Sequence, residues 1–344
     1  MKYYLGFEEP IRLLDEEIHL KESILERSSE LIKDIALLHE DRLKLINKIH
    51  SSLTRWQRVQ LARHPERPYA LNYINLIFAD FMEIHGDRLF ADDPAVVTGF
   101  AKIGDEKVAI IAQQKGRNTK ENLYRNFGMM KPEGYRKALR IMKLAEKFKI
   151  PIITLMDTPG AFPGVGAEER GQGEAIAKNL IEMSAMKVPI ISVVIGEGAS
   201  GGALGIGVCD KFLMMQNSWY SVISPEGCAS ILFRDASKAE EAAEALKVTP
   251  DDMVNIGVCD EVISEPNGGA HRDPKSSARN LELALLEGLS EFSGIKPNMF
   301  IDKRIERYDA MGVFEDDKCF LSIIKLKSTI EMLIKWASFI TLDI

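Results

Sequence analysis

The residues with the strongest capacity for chemistry lie in one glycine-rich stretch, GEGASGGALG, at 196–205. Its glycine spacing includes the G-x-G-x-x-G fingerprint of dinucleotide-binding proteins. Ser200 also lies at the centre of a G-x-S-x-G pattern, which in hydrolases forms the elbow that presents the nucleophile. In a third interpretation, the backbone N–H groups of Gly201 and Gly202 form an oxyanion hole, in which hydrogen-bond donors stabilise a developing negative charge.

The dinucleotide interpretation lacks the elements that such a site requires. A dinucleotide site needs a complete crossover helix after the glycines and an acidic residue at the end of the next strand. The predicted strand VPIISVVI (188–195) precedes the glycines, but the helix that begins at Gly202 has room to run only to about Cys209. The next strand ends in Gln216 and Asn217, neither of which is acidic. The sequence therefore argues against this interpretation.

The hydrolase interpretation has partial support. Asp210, Asp260 and His271 follow Ser200 in the Ser, Asp, His order of one hydrolase class. An elbow places its serine on the sharp turn between strand and helix, whereas four residues separate Ser200 from Ile195, the predicted end of the strand. A serine hydrolase therefore stays as the alternative from another class of enzyme, and a scaffold subunit without catalytic activity is the third hypothesis.

The oxyanion interpretation needs only features that the stretch contains. Consecutive glycines let the backbone approach a ligand closely, and the start of a helix leaves N–H donors unpaired. Tight packing of the helix on a strand would also explain the glycines. A second glycine-rich segment, DTPGAFPGVGAEERGQGEA (157–175), follows the preceding predicted strand, so two such turns share one edge of the sheet. No histidine lies between 100 and 265, so this edge has no imidazole base from that part of the chain.

The elements that position these turns follow from the hydrophobic pattern. Between about 70 and 265, short apolar runs alternate with amphipathic helices, which predicts parallel strands. The near repeat of KIPIIT (149–154) and KVPIIS (187–192) indicates successive units of one architecture. Apolar residues recur at spacings of three and four from 10 to 63, which predicts two or three amphipathic helices. We predict a helical arm at 1–68, a catalytic domain at 69–293 and a C-terminal helical tail at 294–344.

Composition indicates a globular protein and limits its partners. The chain has 344 residues, of which 46% are hydrophobic and 28% charged, enough to bury a large core. Its net charge of −7 argues against a nucleic-acid partner. The four cysteines are scattered, so we expect no zinc site and no metal in this chain. The acidic N-terminus is unlike a secretory signal, and charges interrupt the apolar segment at 319–344, so we expect no membrane span.

Several long motifs identify a family. The chain closely resembles the carboxyltransferase α subunits of multi-subunit acetyl-CoA carboxylase over roughly residues 5–312. The motifs that carry the resemblance are RNFGMMKPEGYRKALRIM (125–142), DTPGAFPGVGAEERGQ (157–172), GEGASGGALGIG (196–207) and YSVISPEGCASILF (220–233). The resemblance implies an α/β ClpP/crotonase-like superhelix of ββα units, preceded by an N-terminal α-helical arm. It also implies transfer of a carboxyl group from carboxybiotin on a carrier protein to acetyl-CoA, which forms malonyl-CoA, the first committed step of fatty acid synthesis.

The resemblance also implies roles for individual residues. Gly201 and Gly202 would form the oxyanion hole for the ureido oxygen of biotin. Gly164, Val165 and Gly166 would line the same cleft as substrate-binding residues. A basic cluster would receive the phosphates of CoA, although a solvated basic loop explains it equally well. The members of this cluster are Lys115, Arg117, Lys120, Arg125 and Lys131.

The expected partners follow from the same resemblance. The chain lacks the four-cysteine zinc ribbon of the family's other subunit, so we expect an α subunit that is active only in an α2β2 complex with a β subunit. A biotin carboxyl carrier protein and a biotin carboxylase would complete the enzyme. The expected location is the bacterial cytoplasm, or the chloroplast stroma if the chain is plastid-encoded. Beyond about Gly312 the sequence departs from the family pattern, and an interface helix, a lineage-specific extension or read-through would each explain the tail.

Overall fold

The computed structural model describes residues 3–24 and 28–311, so the predicted tail beyond Met311 lies outside the described residues. Residues up to Ala310 belong to one compact unit. No helix in the described part is both long and apolar enough to cross a membrane. The division into an arm, a catalytic domain and a tail stays a prediction.

Three N-terminal helices form where the sequence predicts them. They are α1 (Glu9–Glu22), α2 (Ser29–His50) and α3 (Arg55–Ala62). The side chain of Ser28 caps α2 by accepting from the N–H of Leu31, and Thr54 caps α3 by accepting from the N–H of Gln57. Such caps satisfy N–H groups that a helix leaves unpaired at its start. The prediction of two or three amphipathic helices in this region is confirmed.

The remaining helices alternate with the strands for much of the chain. They are α4 (Ala70–Ile77), α5 (Thr119–Tyr124), α6 (Pro132–Phe148), α7 (Val165–Glu169), α8 (Gln172–Ser184), α9 (Ser200–Leu204), α10 (Pro225–Leu232), α11 (Ala239–Leu246), α12 (Pro250–Asn255), α13 (Pro274–Glu291) and α14 (Met299–Asp309). The strands are β1 (Ala79–Glu83), β2 (Val96–Ile103), β3 (Glu106–Gln113), β4 (Ile152–Thr158), β5 (Ile190–Ala199), β6 (Lys211–Met215), β7 (Trp219–Ser221) and β8 (Glu261–Ile263).

The strands form one mixed sheet. Its order is β1-β2-β3-β4-β5-β6-β8, and β7 pairs with β5 outside this path. Pairing is antiparallel from β1 to β3 and parallel from β3 to β8. The two near-repeated segments lie side by side in register, with Ile152 opposite Ile190. Thr154 opposite Ser192 adds a hydrogen bond of 2.7 Å between the two hydroxyl oxygens. The predicted parallel β-α units are therefore confirmed.

Helices cover both faces of the sheet. One apolar cluster joins the strands to α6 and α8, and a second joins them to α4 and α13. Burial on both faces explains why β4 and β5 are continuous apolar runs at their beginnings instead of alternating sequences. This double cover leaves the carboxyl ends of the parallel strands as the edge where loops can form a site.

Candidate active site at the carboxyl ends of the strands

The glycine turn, residues 200–202, lies at the carboxyl end of β5. The strand does not stop at Ile195 as predicted, because residues 197–199 continue it by pairing with residues 219–221 of β7. Ser200 follows at once with a φ of 57°, in the left-handed region that non-glycine residues seldom adopt. The predicted strand end was wrong, and Ser200 does lie on the sharp turn between a strand and a helix.

The predicted partners of a hydrolase serine are engaged elsewhere. The ring of His271 stacks on that of His64, with a centroid separation of 3.7 Å. Asp210 and Asp260 form ion pairs with arginines of α14. Among the described residues, no histidine makes a hydrogen bond with Ser200. The strand-to-helix turn therefore resembles a nucleophile elbow in its backbone but has no base beside it.

Helix α9 is shorter than predicted and starts earlier. It spans Ser200–Leu204, not Gly202 to about Cys209. It ends there because the backbone hydrogen bonds that follow join residues three apart instead of four. The N–H of Ile206 donates to Ala203, and that of Gly207 donates to Leu204. This tight turn directs the chain into β6.

The N–H groups of Gly201 and Gly202 are unpaired donors. Neither has a hydrogen-bond acceptor among the described residues. The first N–H groups of a helix have no acceptor within the helix. Gly202 is nevertheless buried, and buried N–H groups without a partner are rare in proteins. The turn therefore presents donor capacity that the described part of the chain does not use.

The two glycines of the turn differ in whether a side chain could be accommodated. A methyl group on Gly202 would lie 2.2 Å from the carbonyl carbon of Gly160, so α9 packs directly on the backbone of the second glycine-rich loop. A methyl group on Gly201 would meet only the Cδ1 atom of Ile176, at 3.6 Å, which is ordinary van der Waals contact. Tight packing therefore explains Gly202 but leaves Gly201 unexplained.

The second loop, residues 159–166, reaches the same edge of the sheet. The hydroxyl of Thr158 donates to the carbonyl oxygen of Gly160, at 2.7 Å. Gly164 caps α7, and Val165 is the first helical residue, with 75% of its surface exposed. Gly166 is partly exposed. Through Gly160, this loop contacts the glycine turn, as predicted for two turns at one edge.

Gln113, which was not among the residues predicted from the sequence, joins the ends of β3 and β4 to the glycine turn. Its side-chain amide donates to the carbonyl oxygen of Gly202 at 2.7 Å. Its side-chain oxygen accepts from the N–H of Asp157 at 3.1 Å. Gln113 therefore holds the carbonyl of the glycine turn against the ends of β3 and β4.

A buried group of charges, the Glu197 network, lies beside the glycine turn. The Nζ atom of Lys115 is 2.6 Å from a carboxylate oxygen of Asp157 and 2.6 Å from one of Glu197. Arg63, the residue that follows α3, binds the other oxygen of Glu197 at 2.6 Å and also pairs with Glu226 of α10. Burial raises the pKa of Glu197, but Lys115 and Arg63 outweigh burial and lower it to about 2. Glu197 is therefore a carboxylate at neutral pH.

The remaining members of the predicted basic cluster do not form one patch. Arg117 donates to the carbonyl oxygens of Pro65 and Arg67, and Arg125 donates to that of Pro94. The ammonium group of Lys131 lies 5.1 Å from the ring centroid of Phe162. Lys120 is exposed, and its side chain makes no hydrogen bond or ion pair with the described residues. Lys120 and Lys131 thus keep their charges available, whereas Lys115 is neutralised internally.

One group of possible metal ligands lies away from the glycine turn. Donor atoms of Glu8, His64 and His271 lie within 4.8 Å of one another. The two imidazole rings are nearly parallel, at 19°, so their in-plane lone pairs do not converge on one point. Arg272 binds a Glu8 oxygen at 2.8 Å. These residues form a packed ion-pair cluster between the N-terminal helices and the loop before α13.

Comparison with solved structures defines the class of fold. The chain is similar to a transcarboxylase 12S subunit that was crystallised with methylmalonyl-coenzyme A and methylmalonic acid, with a TM-score of 0.53 and 25% identity over 65% of this chain and 42% of that one. A Pseudomonas malonate decarboxylase hetero-tetramer in complex with coenzyme A shares the fold, with a TM-score of 0.52 and 14% identity over 71% of this chain and 92% of that one. The chain has the crotonase-like fold of carboxyltransferases, as expected.

Sequence comparison then defines the family. Residues 4–312 match the family described as acetyl co-enzyme A carboxylase carboxyltransferase-like. The acetyl-coenzyme A carboxylase carboxyl transferase subunit alpha of Chlorobium luteolum is 52% identical over 328 residues, which cover 91% of this chain and 98% of the relative. The subunit of the same name from Fusobacterium nucleatum is 52% identical over 311 residues, or 90% and 99% of the two chains. The chain belongs to this carboxyltransferase family, and the resemblance found in its motifs is confirmed.

Proposed function

We propose that this chain is the α half of an acetyl-CoA carboxylase carboxyltransferase, in which it carries one of the two anion-stabilising sites. The reaction transfers the carboxyl group of carboxybiotin, held on a biotin carboxyl carrier protein, to acetyl-CoA and forms malonyl-CoA. The observation that carries the assignment is the pair of N–H donors at Gly201 and Gly202, which have no acceptor within the described part of the chain. Membership of the carboxyltransferase family and the crotonase-like fold support it.

The glycine turn would stabilise negative charge on the biotin ureido oxygen. Carboxybiotin supplies the carboxyl group, and its ureido oxygen becomes more negative as that group leaves. Each preorganised donor of an oxyanion hole is typically worth about 2.7 to 4 kcal/mol to the reaction barrier. Gln113 and Gly160 hold the turn on two sides, so the donors need no rearrangement before the reaction. Gly164, Val165 and Gly166, which are partly or fully exposed, would line the path to the turn.

CoA would contact the remaining free cations. Lys120 and Lys131 keep ammonium groups without carboxylate partners among the described residues, so we assign the CoA phosphates to them. Arg117 and Arg125 flank α5, the helix that carries Lys120, and would hold it in place because their guanidinium groups bind backbone carbonyls. Lys115 is least suited to bind phosphate, since two carboxylates already neutralise it.

A β subunit must provide the second anion site. Carboxyl transfer creates negative charge on biotin and on the acetyl enolate, on opposite sides of the moving group, whereas the described residues contain one Gly-Gly turn of this kind. We therefore propose an α2β2 complex with a zinc-ribbon β subunit, served by a biotin carboxylase. The helices at 10–63 would contribute to this interface. The proposed location is the bacterial cytoplasm or the chloroplast stroma.

Substitutions at Gly201 test the anion site. Gly201→Ala places a methyl group in ordinary van der Waals contact with Ile176 and should keep most of the activity of the reconstituted complex. Gly201→Val should instead reduce kcat by about a hundredfold because a branched side chain obstructs the donors. Gly202 is a poor position for this test, since any side chain there collides with Gly160. Normal turnover of Gly201→Val in a correctly assembled complex would contradict the assignment.

Ser200 separates the proposal from a serine hydrolase. A hydroxyl nucleophile is indispensable to a hydrolase of this kind, whereas the proposed reaction uses only backbone donors of the turn. Ser200→Ala should therefore reduce carboxyl transfer only modestly. Loss of all activity in a folded, assembled Ser200→Ala complex would favour the hydrolase hypothesis.

A further inference from the structure

We infer that Lys115 and Arg63 are positioning residues, which act through Glu197 to hold the glycine turn in its active geometry; this inference rests on the proposed function. Among the described residues, neither Lys115 nor Arg63 makes a hydrogen bond with residues 200–202. The buried charges at the strand ends would thus act in the reaction rather than in substrate binding, and Arg63 would connect helix α3 to the site.

The Glu197 network holds the last residues of β5 from two sides. The N–H of Glu197 donates to a carboxylate oxygen of Asp157 at 3.0 Å, while both carboxylate oxygens of Glu197 bind cations. A methyl group on Gly196 would lie 2.6 Å from that Asp157 oxygen, so the carboxylate packs directly on the β5 backbone. Only Gly198 and Ala199 separate Glu197 from Ser200. A displacement of Glu197 is therefore transmitted to the turn through a short length of strand.

Arg63 connects this point to two other elements. Besides Glu197 of β5, it binds Glu226 of α10, and its guanidinium carbon lies 5.5 Å from the ring centroid of Trp219 in β7. Trp219 is the residue opposite Glu197 in the β5–β7 register. Helix α3 is itself fixed at its start, where Arg55 binds Glu244 and Asp252. Arg63 therefore holds both strands that flank the beginning of the turn.

The charges in the network are nearly balanced. Two cations face the three carboxylates of Asp157, Glu197 and Glu226. Removing Lys115 alone leaves two buried carboxylates beside each other with one cation fewer, and like charges in a buried site repel strongly. Removing Lys115 together with the charge of Glu197 restores the original net charge. The two substitutions should therefore compensate each other.

This role and the CoA-binding role predicted from the sequence differ in their kinetics. A residue that binds CoA phosphate contributes equally to the ground state and the transition state, so its loss raises KM and leaves kcat unchanged. A residue that positions the oxyanion donors contributes mainly to the transition state, so its loss lowers kcat. Steady-state kinetics of the complete complex can therefore distinguish the two.

The experiment uses the full chain reconstituted with the β subunit, with carboxybiotin carrier and acetyl-CoA as substrates. We expect Lys115→Met and Arg63→Met each to lower kcat by at least about tenfold, since misplacement of reacting groups by about 1 Å can cost a hundredfold. The KM for acetyl-CoA should stay within about threefold of the parent value. The double variant Lys115→Met with Glu197→Gln should recover at least about fivefold in kcat over Lys115→Met alone.

The matched control is Lys102→Met, which removes a lysine from an exposed ion pair with Asp80 and should leave kcat and KM unchanged.

A Lys115→Met complex with raised KM and parental kcat would overturn the inference in favour of phosphate binding. Absence of recovery in the double variant would also overturn it. If the Lys115→Met chain fails to assemble, the double variant still tests the inference. An assembled double variant with parental KM and measurable kcat would support the inference, whereas an inactive one would overturn it. An inactive parent complex would instead contradict the proposed function.

Discussion

Alanine should have opposite effects on stability at the two neighbouring glycines of the turn. At Gly202, the added methyl carbon would lie 2.2 Å from the carbonyl carbon of Gly160, whereas carbon atoms in contact are normally about 3.5 to 4.0 Å apart. The overlap is with backbone, which cannot rotate away as a flexible side chain can. Overpacking of this kind costs about 1 to 3 kcal/mol, and the gain in helix propensity of at most about 1 kcal/mol does not offset its upper range.

At Gly201 the same methyl group meets only a methyl of Ile176 at 3.6 Å. Replacing glycine by alanine where the conformation allows it stabilises a protein by about 0.4 to 1 kcal/mol, because the unfolded chain loses freedom. We therefore expect the Gly201→Ala and Gly202→Ala complexes to differ by at least about 1 to 2 kcal/mol in free energy of unfolding.

Urea unfolding of the two variants, each assembled with the β subunit at one fixed concentration, measures this difference from the transition midpoints. Fixed concentration matters because assembly contributes to apparent stability. The slopes should match that of the parent, which would show that the unfolded states are equivalent. Equal midpoints for the two variants would refute the packing of the turn on Gly160. Substitutions at Gly201 would then no longer be a cleaner test of the N–H donors than substitutions at Gly202.

Further predictions concern pH, the C-terminal helix and CoA. Burial raises the pKa of Glu8, but the imidazole of His50, 3.5 Å away, and hydrogen bonds from the N–H of Leu5 and from Arg272 outweigh burial and lower that pKa from 4.5 to about 2. The stabilisation by Glu8 is therefore complete above about pH 4.5 and is lost towards pH 2. The stability deficit of Glu8→Gln should shrink as the pH falls through this range, and a deficit independent of pH would contradict this account. Arg304 of α14 is buried and binds Asp210 at 2.6 Å. Arg304→Met should therefore lower the free energy of unfolding of the complex by about 3 to 5 kcal/mol, measured by thermal or urea unfolding. Parental stability would show that α14 is not part of the fold. Lys120→Met and Lys131→Met should raise the KM for acetyl-CoA with kcat retained, and a loss confined to kcat would remove them from the CoA site.

The sequence was sufficient to predict an element where residues within or next to it mark its start and its end. Helix α6 occupies Pro132–Phe148, within the alternation of apolar runs and amphipathic helices that the sequence predicts between about 70 and 265. Proline is favourable in the first turn of a helix, and Lys149 ends the helix in a left-handed conformation, with Pro151 two residues further on. The near-repeated strand segments likewise paired in register, because identical patterns of apolar residues fit the same two packed faces.

Features that depend on distant partners were not predictable from local pattern. The last residues of β5 contain two glycines and a glutamate, which resemble a loop, and only their pairing with β7 makes them a strand. Arg63 and Glu197 are separated by 134 positions, so their ion pair appears only in the folded chain. The one available signal was an acidic residue near the end of each of two repeated strands, Asp157 and Glu197, at the edge where both glycine-rich segments begin.

The requirement for a second subunit is tested most directly by reconstitution. Purified chain supplied with carboxybiotin carrier and acetyl-CoA should form no malonyl-CoA, because the proposed function assigns it donors for only one of the two anions. Adding the β subunit should produce malonyl-CoA at a rate that saturates when the subunits are equimolar. Formation of malonyl-CoA by this chain alone, at a rate comparable with that of the mixture, would contradict the division of the two anion sites between subunits.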